Sequence, residues 1–212
     1  MYLSRGGGNE NHDSVGHTSS AAPPTEKIFP KFWKNPLTNQ KKYGIIKTQK
    51  RKGKVNKMSI KMICFDMDGT IADLYGVDGW LNDLRNENPR PYYEAKPMWD
   101  MEALASVLNL LKACNIEIRV VTWLSKDSTE SYKDDVRKAK LAWLKENGFP
   151  FDKFHGVRYG ATKADSVRRY LADDESAILI DDNAKVRNGW TLGEAIDPTT
   201  TNLIDYFMGL VE

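Results

Sequence analysis

Apolar positions along the chain follow two periodicities, and both begin abruptly near Lys61. From there on, short apolar runs alternate with longer stretches in which apolar residues recur every three or four positions. "KMICFD" at 61–66 predicts a buried strand, and "MEALASVLNLLKACN" at 101–115 a helix with Leu104, Val107, Leu108 and Leu111 on one face. "IEIRVVTW" at 116–123 predicts a second strand. "DSTESYKDDVRKAKLAWLKENG" at 127–148 reads as a long amphipathic helix stopped by Asn147-Gly148. "FDKFHGVRYG" predicts a third strand and loop, "KADSVRRYLADD" a helix, "SAILIDD" a fourth strand, "NAKVRNGW" a short helix and "TTNLIDYFMGLV" a last one. Strands separated by helices of this length predict βαβ units. The expected fold is α/β: a Rossmann-like three-layer α/β/α sandwich around a parallel sheet, covering residues 58–212.

Residues 1–57 have a different texture. "RGGGNENHDSVGHTSSAAPP" gives way to "KKYGIIKTQKRKGKVNK" with few apolar positions, a composition that cannot bury enough surface to offset the entropy of ordering it. A disordered basic tail is expected. The net charge of +2 conceals the contrast: residues 1–61 carry 13 Lys and Arg against 3 Asp and Glu, and the remainder carries 18 against 26. Such a run is either a solvated face or a nucleic-acid contact through phosphate neutralisation. A start at Met58 or Met62 would instead make the segment an extension without a selected role.

Composition removes several classes of function. No 18-residue apolar run occurs, so no membrane span is expected, and no secretory signal is visible. Cys64 and Cys114 read as small buried hydrophobes, which fits a reducing, cytoplasmic setting. His12, His17 and His155 have no spacing for a zinc site.

The chemistry gathers where the apolar runs end. In parallel sheets, ligands bind beyond the C-terminal ends of the strands. Here the first run ends in Asp66 and Asp68, the second in Thr122 and the fourth in Asp181 and Asp182. Asp66 and Asp68, two apart on an extended chain, address the same side. Carboxylates crowded together repel unless a cation sits among them, and Mg²⁺ is the oxygen-seeking ion that keeps room for a phosphate. Gly69 allows a tight turn, and the amides after it, including that of Thr70, are candidates to cradle phosphate oxygens. Thr122 can donate to such an oxygen. Lys163, at the start of a helix, can balance the charge of a transferring phosphoryl group.

These residues resemble the haloacid dehalogenase superfamily: "FDMDGTIAD" its first motif, "VVT" at 120–122 the second, Lys163 the third and "ILIDD" at 178–182 the fourth. The chain is similar in particular to the 5'(3')-deoxyribonucleotidase branch and to small phage and bacterial 5'-nucleotidase-like proteins. The resemblance implies a phosphatase in which Asp66 attacks phosphorus while Asp68 protonates the leaving oxygen and later activates water. It implies Mg²⁺ on the Asp66 carboxylate, the Asp68 backbone carbonyl and Asp181 or Asp182. Asp68 points away from dehalogenation, whose enzymes lack an aspartate two residues after the nucleophile.

Family members select substrates with a cap, and the stretch "LYGVDGWLNDLRNENPRPYYEAKPMW" at 74–99 leaves room for only a small one. Its Trp80, Tyr92, Tyr93 and Trp99, with Trp123 and Ser125 past the second motif, either cover the core or stack on a base. The expected substrate is a small phosphomonoester, best a nucleoside 5'- or 3'-monophosphate. The alternatives are a phosphatase of nucleic-acid termini tethered by the basic tail, and a phosphate-binding protein without turnover.

Overall fold

The computed structural model describes residues 59–211. The expectations for the basic tail, its disorder and its nucleic-acid contact, fall outside these residues. The described chain builds a five-stranded, wholly parallel sheet from β1 (Ser59–Phe65), β4 (Glu117–Trp123), β5 (Lys153–Val157), β6 (Glu175–Ile180) and β7 (Ala195–Ile196), in the order β5-β4-β1-β6-β7. The chain thus starts in the centre of the sheet, extends outward on one side and then returns to fill the other. That reversal beside β1 is the place where an α/β sheet opens a crevice at its C-terminal edge.

Strand alternation divides the core. Ile63, Phe65, Ile118, Val120, Ile178 and Ile180 face one layer, where α3 (Met101–Ala113) and α7 (Leu203–Val211) lie. Met62, Cys64, Val121 and Leu179 face the other, against Ala164 and Val167 of α5 (Lys163–Arg168) and against Trp190. Near-continuous burial of β1 and β4 follows from helices on both faces. The buried residues of α3 are the four expected, Leu104, Val107, Leu108 and Leu111, and each contributes about 1.5–3 kcal/mol through burial. The helix begins where the Asp100 carboxylate accepts from the Ala103 amide.

The long helix α4 (Glu130–Glu146) starts at Thr129, whose side chain accepts from the Tyr132 amide, and stops at Asn147, before Gly148 at φ +66°. Its inner stripe is Tyr132, Val136, Ala139, Lys140, Trp143 and Leu144, so a lysine stands among apolar residues. Between β1 and α3 the chain forms a two-stranded antiparallel ribbon, β2 (Ala72–Asp73) with β3 (Lys96–Pro97), enclosing α1 (Trp80–Arg85) and α2 (Arg90–Glu94). Leu74 and Tyr92 from this segment pack with Leu124, Tyr132, Val136 and Ala139.

The fold departs from the sequence reading at Cys114 and at β7. Cys64 is buried, and burial pushes its thiol up to about 12, but Cys114, the residue that ends α3, is exposed rather than packed. The strand β7, two residues long, carries no periodicity that could reveal it. No helix of the described residues is long and apolar enough to cross a membrane.

Candidate active site

β1, β4 and β6 are adjacent, so their C-terminal ends deliver Asp66 and Asp68, Thr122 and Trp123, and Asp181 and Asp182 to one rim. The amide of Asp66 donates to the Ile180 carbonyl at 2.8 Å, which carries the β1–β6 pairing as far as the first carboxylate. Beyond it the chain folds tightly back on itself. The amides of Thr70, Ile71 and Ala72 all donate to the Met67 carbonyl, and the Gly69 amide donates to the Ala72 carbonyl. Gly69 makes this turn at φ +76°; a Cβ there would stand 2.7 Å from the Tyr75 ring and 2.8 Å from Asp182 Oδ2. The amides after Gly69 are therefore spent within the loop, contrary to the expectation that they face a phosphate. Those of Met67 and Asp68, before it, make no hydrogen bond among the described residues.

Two buried lysines organise the acids. Lys163 Nζ lies 2.8 Å from Asp66 Oδ1 and 2.7 Å from Asp181 Oδ2. The first contact is an ion pair without hydrogen-bond alignment, so the buried Asp66 Oδ1 has no hydrogen-bond donor of its own. Burial by itself would pull the Lys163 ammonium down, but the Asp66 and Asp181 carboxylates outweigh it and hold the group above its ordinary value. Lys140 serves the other acid: its Nζ donates to Asp68 Oδ2 at 2.6 Å, to Thr122 Oγ1 at 2.8 Å and to the Trp123 carbonyl at 3.3 Å. Thr122 is fully buried, and since its oxygen accepts from Lys140, its own hydroxyl hydrogen is left for another partner.

Burial raises the carboxyl of Asp68, and although Lys140 opposes this, the charge of Asp66 adds to it. Asp181 and Asp182 are raised for the same two reasons, burial first and the nearby Asp66 second. Ligand oxygens of Asp66, Asp181 and Asp182 all come within 4.8 Å of one another. Four carboxylates against two ammonium groups leave an excess of negative charge that one divalent cation would neutralise. The donor set, all oxygen and including the orphaned Asp66 Oδ1, fits Mg²⁺. Both Asp181 oxygens already accept hydrogen bonds, from Lys163 and from the Asn183 amide, whereas Asp182 accepts from Thr70 through Oδ1 and keeps Oδ2 free among the described residues.

The cleft over this rim has a volume of about 630 Å³, within the usual range for a small-molecule site. Asp66, Asp68, Thr122 and Asp182 form its floor, and its walls include Tyr75, Trp80, Tyr92, Trp123 and Tyr159. Of the residues expected to line it, Trp80, Tyr92, Trp123 and Ser125 do so, whereas Trp99 packs against the core and donates through Nε1 to the Thr70 carbonyl at 2.8 Å. Nor does Tyr93 line the cleft: it is exposed on the far side of α2, because neighbouring positions on a helix point apart. Thr70 is fully buried and engaged with Asp182, so it shapes the site rather than meeting a ligand.

Lys140 and Arg187 escaped the sequence reading, as did Tyr75 and Tyr159 on the cleft wall. Lys140 could have been found as the lysine interrupting the apolar stripe of α4. Arg187, on α6 (Ala184–Asn188), donates through Nη1 to the carbonyls of both Asp181 and Asp182, at 2.7 Å each, and through Nη2 to Asp197. It braces the loop that carries the two acids, and no local pattern announces it.

No family model matches the chain, and no curated protein matches it. Among solved structures, a chain of the Pnkp1/Rnl/Hen1 RNA repair complex is 15% identical, with a TM-score of 0.45, over 66% of this chain and 42% of that one. A chain from another structure of the Pnkp1/Rnl/Hen1 complex is 13% identical, with a TM-score of 0.45, over 79% and 58%. A Mesorhizobium loti protein named as a HAD-like phosphatase is 14% identical, with a TM-score of 0.44, over 76% and 90%. The chain therefore spans about half the length of the repair-complex chains it matches. Likeness this distant assigns no activity, and the functional reading rests on the site.

Proposed function

We propose that the protein is a Mg²⁺-dependent phosphomonoester hydrolase that works through a phosphorylated Asp66. The observation that carries the reading is the gathering of Asp66, Asp181 and Asp182 around Lys163, with Asp68 alongside, at the rim where the sheet order reverses. In the first step an Asp66 oxygen bonds to phosphorus, the ester P–O bond breaks and Asp68 gives a proton to the departing oxygen. In the second, Asp68 takes a proton from water, the water oxygen bonds to phosphorus and the bond to Asp66 breaks, releasing phosphate.

Lys163 offsets the charge of the Asp66 carboxylate and of the phosphate it receives. The Thr122 hydroxyl and the Met67 and Asp68 amides are the available donors to phosphate oxygens. Asp66, Asp182 and the Asp68 carbonyl would hold Mg²⁺, which when bound would supply positive charge beside the nucleophile to offset that of the phosphate. Asp181 belongs with Lys163, fixing its ammonium against Asp66.

The aromatic walls of the cleft favour a nucleoside monophosphate, whose base can stack on Trp80, Tyr75 or Trp123 while the phosphate reaches the carboxylates. The test is release of phosphate from p-nitrophenyl phosphate and from a panel of nucleoside monophosphates, with Mg²⁺ and with EDTA. Turnover that needs the metal and disappears in Asp66→Asn is expected. Undiminished turnover in that variant would remove the nucleophile and the reading with it.

A further inference from the structure

We propose that Lys140 is a positioning residue for Asp68, aiming one carboxylate oxygen at the leaving group of the substrate and stabilising the carboxylate that remains once the proton has been delivered. The inference rests on the phosphatase reading above and adds to it a residue that takes no part in binding phosphate.

A lysine ammonium has three N–H bonds, and all three are used: on Asp68 Oδ2, Thr122 Oγ1 and the Trp123 carbonyl. None is left for a ligand, and the side chain is fully buried. Lys140 can therefore act on the reaction only through the groups it holds. It also stands 5.1 Å from the Tyr92 ring, which closes it in from the side of α2. Placing an ammonium on the apolar stripe of α4 is costly, and well-packed hydrophobic residues would serve a purely structural role at least as well. What a hydrophobic residue could not do is fix the orientation of Asp68. With Oδ2 taken, Oδ1 is the oxygen left to the cleft that Asp68 lines. The chain reaches this arrangement from 72 residues away in sequence, so the contact is made by the fold and not by the loop around Asp68.

In the step concerned, the ester P–O bond breaks, its electron pair stays on the departing oxygen, and the proton moves from Asp68 Oδ1 to that oxygen. A departing alkoxide needs the proton far more than a departing nitrophenolate does. Loss of Lys140 must then weigh unequally on the two kinds of ester, whereas weaker phosphate binding through Thr122, or general damage to the fold, weighs on both alike.

The experiment compares kcat/KM for β-glycerol phosphate and for p-nitrophenyl phosphate in the wild type, Lys140→Met and Asp68→Asn, since this quantity reports the first irreversible step. The expected result is that Lys140→Met slows the alkyl ester by about tenfold or more beyond its effect on the aryl ester, with Asp68→Asn showing the same bias. Lys140→Leu, which likewise leaves no N–H donor on the stripe, is read in the same way and serves where the methionine variant does not fold. Equal slowing of the two esters, or none, overturns the role of Lys140 while the phosphatase reading stands. A wild type that hydrolyses neither ester removes both.

Discussion

Thr70 and Asp182 clasp each other twice across 112 residues of sequence: the Thr70 hydroxyl donates to Asp182 Oδ1 at 3.3 Å and accepts from the Asp182 amide at 3.1 Å. The pair ties the loop after β1 to the loop after β6, which places the first and fourth groups of acids at a fixed spacing. Thr70→Val keeps the shape, removes both bonds and leaves the Asp182 amide unpaired, at a cost of about 1–3 kcal/mol. Urea unfolding measures it, and Thr70→Ser is expected to recover most of the loss.

Gly69 is held between two side chains that belong to the site. Gly69→Ala must strain a backbone at φ +76° and push aside the Tyr75 ring or Asp182 Oδ2. The expected outcome is a loss of about 1 kcal/mol or more in stability. It comes with weaker Mg²⁺ binding, read by calorimetric titration. Unchanged metal affinity would show that Asp182 is free to move.

Asp68, Asp181 and Asp182 have carboxyls raised above their ordinary values, chiefly by burial. Between the ordinary value and the raised one, the folded protein holds protons that the unfolded chain releases, so in EDTA stability rises as the pH falls through that window and declines as it rises. Burial pushes Asp181 up to about 6, so thermal melts in EDTA at about pH 5.5 and about pH 7.5 are expected to show a smaller acid gain in Asp181→Asn than in the wild type. Mg²⁺ competes with these protons, so it stabilises most at the higher pH, by about 2.7 kcal/mol at a hundredfold excess over its Kd. A melt that ignores Mg²⁺ at neutral pH would remove the cation from the site.

Trp80 meets the Tyr75 ring edge-on at 5.1 Å and lines the cleft. If a base stacks there, Trp80→Ala raises KM for a nucleoside monophosphate by about tenfold or more. It leaves β-glycerol phosphate unaffected. Equal effects on both substrates would place the base elsewhere.

Much of this protein follows from local pattern. The strands β1, β4, β5 and β6 and the helices α3 and α4 were legible because burial against a sheet or along a helix imposes a period on consecutive residues, and the stop at Asn147-Gly148 because a helix end has a preferred chemistry. Asp66, Asp68, Thr122, Asp181 and Asp182 were legible as candidates because in a parallel sheet the strand ends share one edge. What each acid faces was decided only by the tertiary structure. The amides after Gly69 turned inward, Tyr93 turned outward, Lys140 came to Asp68 from the buried stripe of α4, and Arg187 reached the acid loop from α6, whose sequence advertises a surface. Periodicity reports which side of an element is buried, whereas an ion pair between residues far apart in the chain depends on how two elements pack. The positions of the acids could therefore be read along the chain, and their partners only across it.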